Sequence, residues 1–279
     1  GKSKARVSPG PLKMTTGETT QDAQVMTEDF NNYFASVFTT EDLSSLPKPA
    51  PPQCVADDAS LRDINFTEDS IRNKLGKLRP DKSPGPDGML PRFLREVAEE
   101  LVKPLHLLFV NSMESGSVPK DWKDGNITPF YKKGSRNKVE NYRPISLTSQ
   151  LSKIMESIIR DALVEHLEKN KLLRASQHGF RRGRSCLSNL LAFLDDVSEI
   201  IENKECVDAI YLDLAKAFDK VPHCRLLYKL ESYGICGNVL DWIRAWLSNR
   251  RQRVCLQGHM SGWRAVTSGV PQGSDRSYS

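Results

Sequence analysis

The six cysteines, at 54, 186, 206, 224, 236 and 255, form no C-x-x-C pair and no close spacing with histidine. That argues against a structural zinc site. In a chain of 279 residues a disulfide scaffold is not expected either. Reduced thiols in a reducing compartment, nucleus or cytoplasm, are the expectation. No apolar run approaches the roughly 18 residues that a membrane helix needs, and no signal peptide is visible, so neither membrane entry nor secretion is expected. There is no internal repeat, which excludes a solenoid. Neither sign of charge dominates: 40 Lys and Arg against 35 Asp and Glu leave a net +5. Such a balance permits a polyanionic partner without demanding one. The chain opens on Gly1 rather than Met, as a fragment or processed piece would.

What is present fits one large domain or two small ones, with a real core. Residues 1 to about 25 are rich in Lys, Thr, Ser, Gly and Pro and are expected to be disordered or a linker. T-E-D-F-N-N-Y-F-A-S-V-F (27–38) sets Phe30, Tyr33, Phe34, Val37 and Phe38 at helical spacing, with Thr27 as a candidate cap. P-K-P-A-P-P (47–52) reads as a second linker. Helices are expected near 68–78, 91–115, 150–169, 186–203, 222–233 and 238–248. N-I-T-P-F-Y-K-K-G-S-R (126–136) reads as a strand running into a basic turn, and further strands are expected at 207–214 and near 253–257. P-D-K-S-P-G-P-D-G (80–88) can only be a turn-rich loop. Helices alternating with few, separated strands predict an α+β domain with helices on one face of a small sheet.

Three basic segments carry no acid. They are 171–184, with Arg174, Arg181, Arg182 and Arg184; 244–253, with four arginines; and the Gly-Ser turn holding Lys132, Lys133 and Arg136. Each alone fits a solvated face equally well. Together, with Phe180 and Trp246 among them, they point to a phosphate-backbone partner. In Y-L-D-L-A-K-A-F-D-K-V (211–221), Asp213 falls near the end of a strand expected to be buried. An ionised carboxylate there needs a cation or a donor. A Mg²⁺ ion is one such partner and capping of the next helix is the other reading. Asp219 reads as a cap or a local salt bridge. The Gly269–Gly273 loop, with Pro271 and Gln272, has the makeup of a loop that lays its backbone against a flat ligand, as do many ordinary turns.

Seven of these segments stand in an order that resembles the reverse transcriptase domain of non-LTR (LINE-type) retrotransposons, jockey-like in character. They are F-N-N-Y-F-A-S-V-F, S-P-G-P-D-G (83–88), W-K-D-G-N-I-T-P-F-Y-K-K-G (122–134), N-Y-R-P-I-S-L-T (141–148), Q-H-G-F-R-R-G-R-S (177–185), L-D-L-A-K-A-F-D-K-V-P-H (212–223) and S-G-V-P-Q-G-S (268–274). The resemblance implies a right-hand polymerase fold. Residues 1–65 would be an N-terminal extension, 66–205 the fingers-like region, 206–274 a partial palm, and 275–279 an unrelated tail, with no thumb. Asp213 matches the first catalytic aspartate, which would bind both Mg²⁺ ions of a two-metal phosphoryl transfer, with the Leu214 carbonyl as a further ligand. Arg143 and a lysine of the Lys132–Lys133 pair match the residues that hold the dNTP triphosphate. Phe218 matches the position beneath the incoming sugar, and Gln272 the loop glutamine near the nascent base pair. Arg181, Arg182, Arg184 and Gly273 would face an RNA template and DNA primer.

The resemblance also predicts an Ala-Asp-Asp hairpin and a thumb after P-Q-G-S, whereas here D-R-S-Y-S follows Ser274. The expectation is therefore a polymerase-derived segment without polymerase activity of its own. Alternatives are an RNA or primer-template binding module and the functionless product of a decayed element. An open apolar edge beside the Asp213 strand is expected as well.

Overall fold

The computed structural model describes residues 9–14, 17–44 and 59–272. The expected linker at 47–52, together with Gly273 and the tail 275–279, lies outside these residues. Helices and sheets are mixed, and the chain divides into two compact units. One comprises Gly1–Leu163 with Lys216–Ser279 and the other Val164–Ala215.

The first unit opens with a small hairpin, β1 (Leu12–Lys13) and β2 (Thr19–Thr20), followed by α1 (Ala23–Ser36). Disorder expected through residue 25 is thus corrected for the described part. Leu12 is fully buried beside Phe30 and Val139, and the Lys13 N–H donates to the Asn137 carbonyl at 2.7 Å. The cap of α1 is Asp22, not Thr27: the Asp22 carboxylate accepts from the Gln24 and Val25 N–H groups. Thr27 sits one turn inside and bonds back to the Gln24 carbonyl at 2.7 Å. The aromatic stripe is core: Phe30 and Phe34 are buried, and Phe30 meets Tyr142 edge-on at 5.0 Å.

Next come α2 (Glu68–Gly76), capped by Thr67, then α3 (Pro91–Glu96), α4 (Ala98–Glu114) and the single turn α5 (Lys120–Lys123). The one helix expected at 91–115 is two, because Val97 leaves helical geometry at φ −103°, ψ 30°. The 80–88 loop is irregular, as its prolines and glycines dictate. It seats tightly: a Cβ on Gly85 would lie 2.6 Å from the Thr148 carbonyl carbon and oxygen. Gln150 Nε2 ties the same loop by donating to the Ser83 carbonyl at 3.0 Å.

The sheet combines β3 (Asp124–Tyr131), β4 (Tyr142–Leu147), β5 (Arg251–Leu256), β6 (His259–Met260) and β7 (Arg264–Ala265). Its order is β4-β3-β5-β6, with β7 on β5. β3 and β4 are antiparallel and place Phe130 opposite Arg143. β3 and β5 are parallel over Asp124–Ile127 only, so Pro129 falls where β5 asks for no ladder bond. Asp124 faces Arg251 in that register and accepts from it through both oxygens, at 2.9 and 2.6 Å. The α1 helix covers this sheet, with Asn31 Nδ2 donating to Ser261 Oγ and to the Gly262 carbonyl. A second core gathers Ile71, Leu75, Phe109, Met155 and Trp242 among the helices, including α8 (His223–Ser232), α9 (Gly237–Leu247) and the first half of α6 (Gln150–Lys169).

In the second unit, α7 (Cys186–Glu202) starts with a reciprocal Ser185–Ser188 cap. His178, buried, shares its Nδ1 with Ser188 Oγ at 2.9 Å, which holds the Q-H-G-F-R-R-G-R turn onto the helix start. No residue of α7 is buried, and Leu187, Leu190 and Leu191 are exposed. The strand expected at 207–214 does not form: Ile210, Tyr211, Leu212 and Leu214 are all at least three-quarters exposed in irregular chain. Among the described residues no strand offers this segment a ladder, and β-branched density without a partner makes no strand. The expected strand edge at Asp213 is accordingly absent, as is the burial argued for its carboxylate.

Candidate active site

The β3–β4 hairpin is the first element of the site. Strand alternation places Phe130 and the residue two further on, Lys132, toward the same face. The Lys132 N–H continues the pairing by donating to the Asn141 carbonyl at 2.8 Å. Arg143, the partner of Phe130, therefore stands diagonally across from Lys132 on one face, and both are exposed. Lys133 follows in the turn that Gly134 closes at φ +91°. Of the lysine pair, it is Lys132 that shares the face of Arg143.

The second element is the turn from Lys216 to His223. Lys216, half-buried at φ +56°, holds its ammonium 5.1 Å from the centre of the Tyr33 ring. Burial pushes the Lys216 pKa below its ordinary value. Lys132 and Arg143 add to that shift, while Asp219 and Glu140 oppose it. Phe218 remains 42% exposed, whereas Asp219 is 8% exposed. Burial raises the Asp219 pKa against the opposing pull of Lys216 and of its Gln272 hydrogen bond.

The third element is the loop 268–272, which is fastened onto that turn. Ser268 Oγ donates to the Asp219 carbonyl at 2.7 Å, and the N–H groups of Gly269 and Val270 donate to the Val221 and Phe218 carbonyls. His223 Nε2 reaches the Gly269 carbonyl at 2.8 Å. At the loop's end, Gln272 accepts from the Ser146 N–H of β4 at 3.0 Å through its main chain. Its side-chain Nε2 donates to Asp219 Oδ1 at 3.1 Å. A cavity of about 40 Å³ lies here, lined by Ser146, Thr148, Asp219, Arg250 and Gln272 among others.

Lys132, Arg143, Phe218 and Gln272 all belong to the first unit. Asp213, Leu214, Arg181, Arg182 and Arg184 belong to the second, where Asp213 and Leu214 are exposed. Each arginine of the basic segment 244–253 has a partner within the first unit. Arg250 is buried against the Trp246 ring at 4.7 Å, Arg251 pairs with Asp124, Arg253 donates to Asn126, and Arg244 pairs with Asp241. Sequence reasoning missed Lys216 and Tyr33. The signal for Lys216 was a charge in an otherwise apolar run, but Tyr33 looked like one more core aromatic.

The family model for "Reverse transcriptase (RNA-dependent DNA polymerase)" matches residues 131–278, more than half of the chain. The chain belongs to the reverse transcriptase family. Over 209 residues, 75% of the chain, it is 32% identical to the RNA-directed DNA polymerase from mobile element jockey of Drosophila melanogaster. Over 281 aligned positions, 95% of the chain, it is 27% identical to the probable RNA-directed DNA polymerase from transposon BS of the same fly. It is also 28% identical over 194 residues, 68% of the chain, to a Pol polyprotein from the type-1 retrotransposable element R2 of Popillia japonica. The matches cover 23%, 30% and 26% of those proteins, so the chain spans roughly a quarter of their length. It is a non-LTR reverse transcriptase domain in its similarity and in its mixed helix-and-sheet architecture. The family match begins one residue before Lys132 and takes in β4, the Asp219 turn and the Gln272 loop. No helix among the described residues is long and apolar enough to cross a membrane.

Proposed function

We propose that this chain is the nucleotide- and template-handling portion of an RNA-directed DNA polymerase from a non-LTR retrotransposon. The observation that carries the reading is the joining of two functions in one unit. The hairpin that presents Lys132 and Arg143 also holds the Gln272 loop through Ser146. In this reading the hairpin and the helices around it, within 66–205, are fingers, and 206–274 contributes palm. Arg143 grips the triphosphate through its forked donors and Lys132 as a point charge, with Lys133 adjacent. Phe218 supports the incoming sugar, and Gln272 borders the nascent base pair. Of the four residues expected to face nucleic acid, Arg182, Arg184 and Gly273 contact the RNA template and DNA primer, while Arg181 holds the turn that presents them through its bond to the Arg174 carbonyl.

Magnesium is implied by the family, and the donors for it are hard oxygens: the exposed Asp213 carboxylate and the Leu214 carbonyl. Among the described residues no group of three or more His, Cys, Asp or Glu could hold a metal ion. A carboxylate with a backbone carbonyl is the kind of donor set Mg²⁺ takes, completing its shell with substrate phosphates and water. Asp213 and Leu214 are the residues that would hold it. When bound, the ions lower the pKa of the primer hydroxyl and steady the leaving pyrophosphate. An Ala-Asp-Asp tripeptide occurs at 56–58, outside the described residues, ahead of the fingers segments and out of the family order; none follows Ser274. Assayed alone, the 279-residue segment is expected to bind nucleotide without polymerising it.

The test is twofold. Equilibrium binding should show Mg²⁺-dTTP affinity that falls about tenfold when Lys132 and Arg143 are both replaced by alanine. Incorporation of dTTP on poly(rA)·oligo(dT) should stay at the level of the Asp213→Asn variant. Incorporation above that level refutes the inactivity. Nucleotide affinity indifferent to Lys132 and Arg143 refutes the nucleotide site. The exposed Phe180, Arg182 and Arg184 favour a second reading, an RNA-binding module without chemistry.

A further inference from the structure

We infer that Asp219 is a positioning residue for Gln272, fixing which edge of the glutamine amide faces the nucleotide. The inference rests on the nucleotide reading above and adds to it a residue that otherwise looks like a local structural acid. Its basis is the hydrogen bond of 3.1 Å from Gln272 Nε2 to Asp219 Oδ1, made by a carboxylate that is nearly closed to solvent.

A glutamine amide has two nearly isosteric edges, one donating and one accepting. An ionised carboxylate only accepts, so it tolerates the NH₂ edge and rejects the carbonyl edge. Gln272 is thereby held with Oε1, which accepts no bond among the described residues, at the cavity that both residues line. The rest of the arrangement leaves little other freedom. The Gln272 backbone is tied to Ser146 of β4, and the Asp219 backbone is tied to Ser268. Gly269 lets the loop lie directly on the backbone of Phe218 and Asp219. The charged groups around the carboxylate are Lys216 on its own turn and Arg250 and Arg251 lining the same cavity. Among the described residues none of these takes the bond that Gln272 makes.

The consequence is pre-organisation. Without Asp219, Gln272 must be ordered when nucleotide binds, a cost that corresponds to roughly three- to tenfold in affinity. Asparagine at 219 accepts or donates equally well and so admits both amide orientations. Halving the competent population weakens binding by about twofold.

The experiment measures equilibrium binding of Mg²⁺-dTTP and of Mg²⁺-tripolyphosphate to the 279-residue chain. It compares wild type with Asp219→Ala, Asp219→Asn, Gln272→Ala and the double alanine variant. The expected result is a loss of roughly three- to tenfold for dTTP in Asp219→Ala, with tripolyphosphate unchanged and no additional loss in the Gln272→Ala background. Asp219→Asn, which keeps the side-chain shape should the alanine variant fail to fold, is expected to lose about twofold. Additive losses in the double variant, equal weakening of tripolyphosphate, or full dTTP affinity in both Asp219 variants would overturn the positioning role alone. A wild-type chain that binds neither probe overturns the nucleotide reading and this inference with it.

Discussion

Gly269 rests on the backbone of Asp219 so closely that a Cβ at 269 would lie 2.7 Å from the Asp219 carbonyl oxygen. The same hypothetical atom would meet the Phe218 carbonyl oxygen at 2.7 Å, and the glycine sits at φ +85°. Both features require glycine: real Cβ atoms do not approach backbone this closely, and L side chains rarely adopt that φ. Gly269→Ala is therefore expected to destabilise the first unit by about 1–3 kcal/mol, in the range of strained backbone substitutions. It should also weaken dTTP binding, because Gln272 is displaced with the loop. Chemical denaturation and nucleotide titration of the same preparation check this. Unchanged stability would mean that the loop does not lie on the turn.

Glu41 caps helix α8 from far along the chain, accepting from the Cys224 N–H through Oε2 and the Arg225 N–H through Oε1, both at 2.9 Å. Pro222, the local cap position, offers no side-chain bond, so the distant carboxylate does that work. Burial alone would raise the Glu41 pKa, but the two backbone donors and nearby Arg225 outweigh it and hold it below the ordinary value. A carboxylate lowered on folding contributes stability above its unfolded pKa, about 4.3, and loses it as pH falls through the folded value. Glu41→Gln should cost about 1 kcal/mol at pH 7, with the gap to wild type closing below about pH 4. A gap that persists undiminished at pH 3 contradicts the cap.

Asp219 has the opposite sign. Its pKa is raised, chiefly by burial, so its stabilising form is the protonated one. That contribution is full below the unfolded value of about 3.9 and is lost as pH rises through the raised folded value. At pH 7 the buried charge opposes folding, and Asp219→Asn is expected to be more stable than wild type there. The difference should shrink as the pH is lowered through that window. Urea denaturation at pH 7 and pH 4 reads it directly. A variant that gains stability while losing about twofold in dTTP affinity would show a cost to stability incurred for positioning.

Much of the fold was legible because helices announce themselves by period. The ranges expected for α2, α6, α7, α8, α9 and β5 match the structure to within about two residues, the usual uncertainty of helix ends. What failed depends on partners that no local pattern contains. The run 207–214 has strand composition but no described neighbour to pair with. The 244–253 arginines look free until Asp124, Asn126, Asp241 and Trp246 are brought beside them. At the site, only the family resemblance of their segments marked Lys132, Arg143 and Gln272 as candidates for the nucleotide site. The Asp219–Gln272 bond spans 53 residues and was not. Gly85 is similar: its loop was obvious, but the reason it must be glycine lies in the backbone of Thr148.

The three arginines of the second unit are expected to separate by role when RNA binding is measured against salt. Arg181 is committed internally: its Nη1 donates to the Arg174 carbonyl at 3.1 Å, and its Nε is buried. Arg182 and Arg184 are exposed and make no ion pair among the described residues. Each phosphate contact on a single strand contributes about 0.7 to the slope of log K against log salt concentration. Arg182→Ala and Arg184→Ala should each flatten that slope by roughly this amount and weaken binding alike for all RNA sequences. Arg181→Ala should leave the slope unchanged while loosening the turn before α7, seen as faster amide exchange from Gln177 to Ser185. A slope reduced by Arg181→Ala but untouched at 182 and 184 would reverse this assignment and place the template contact on the buried face of the turn.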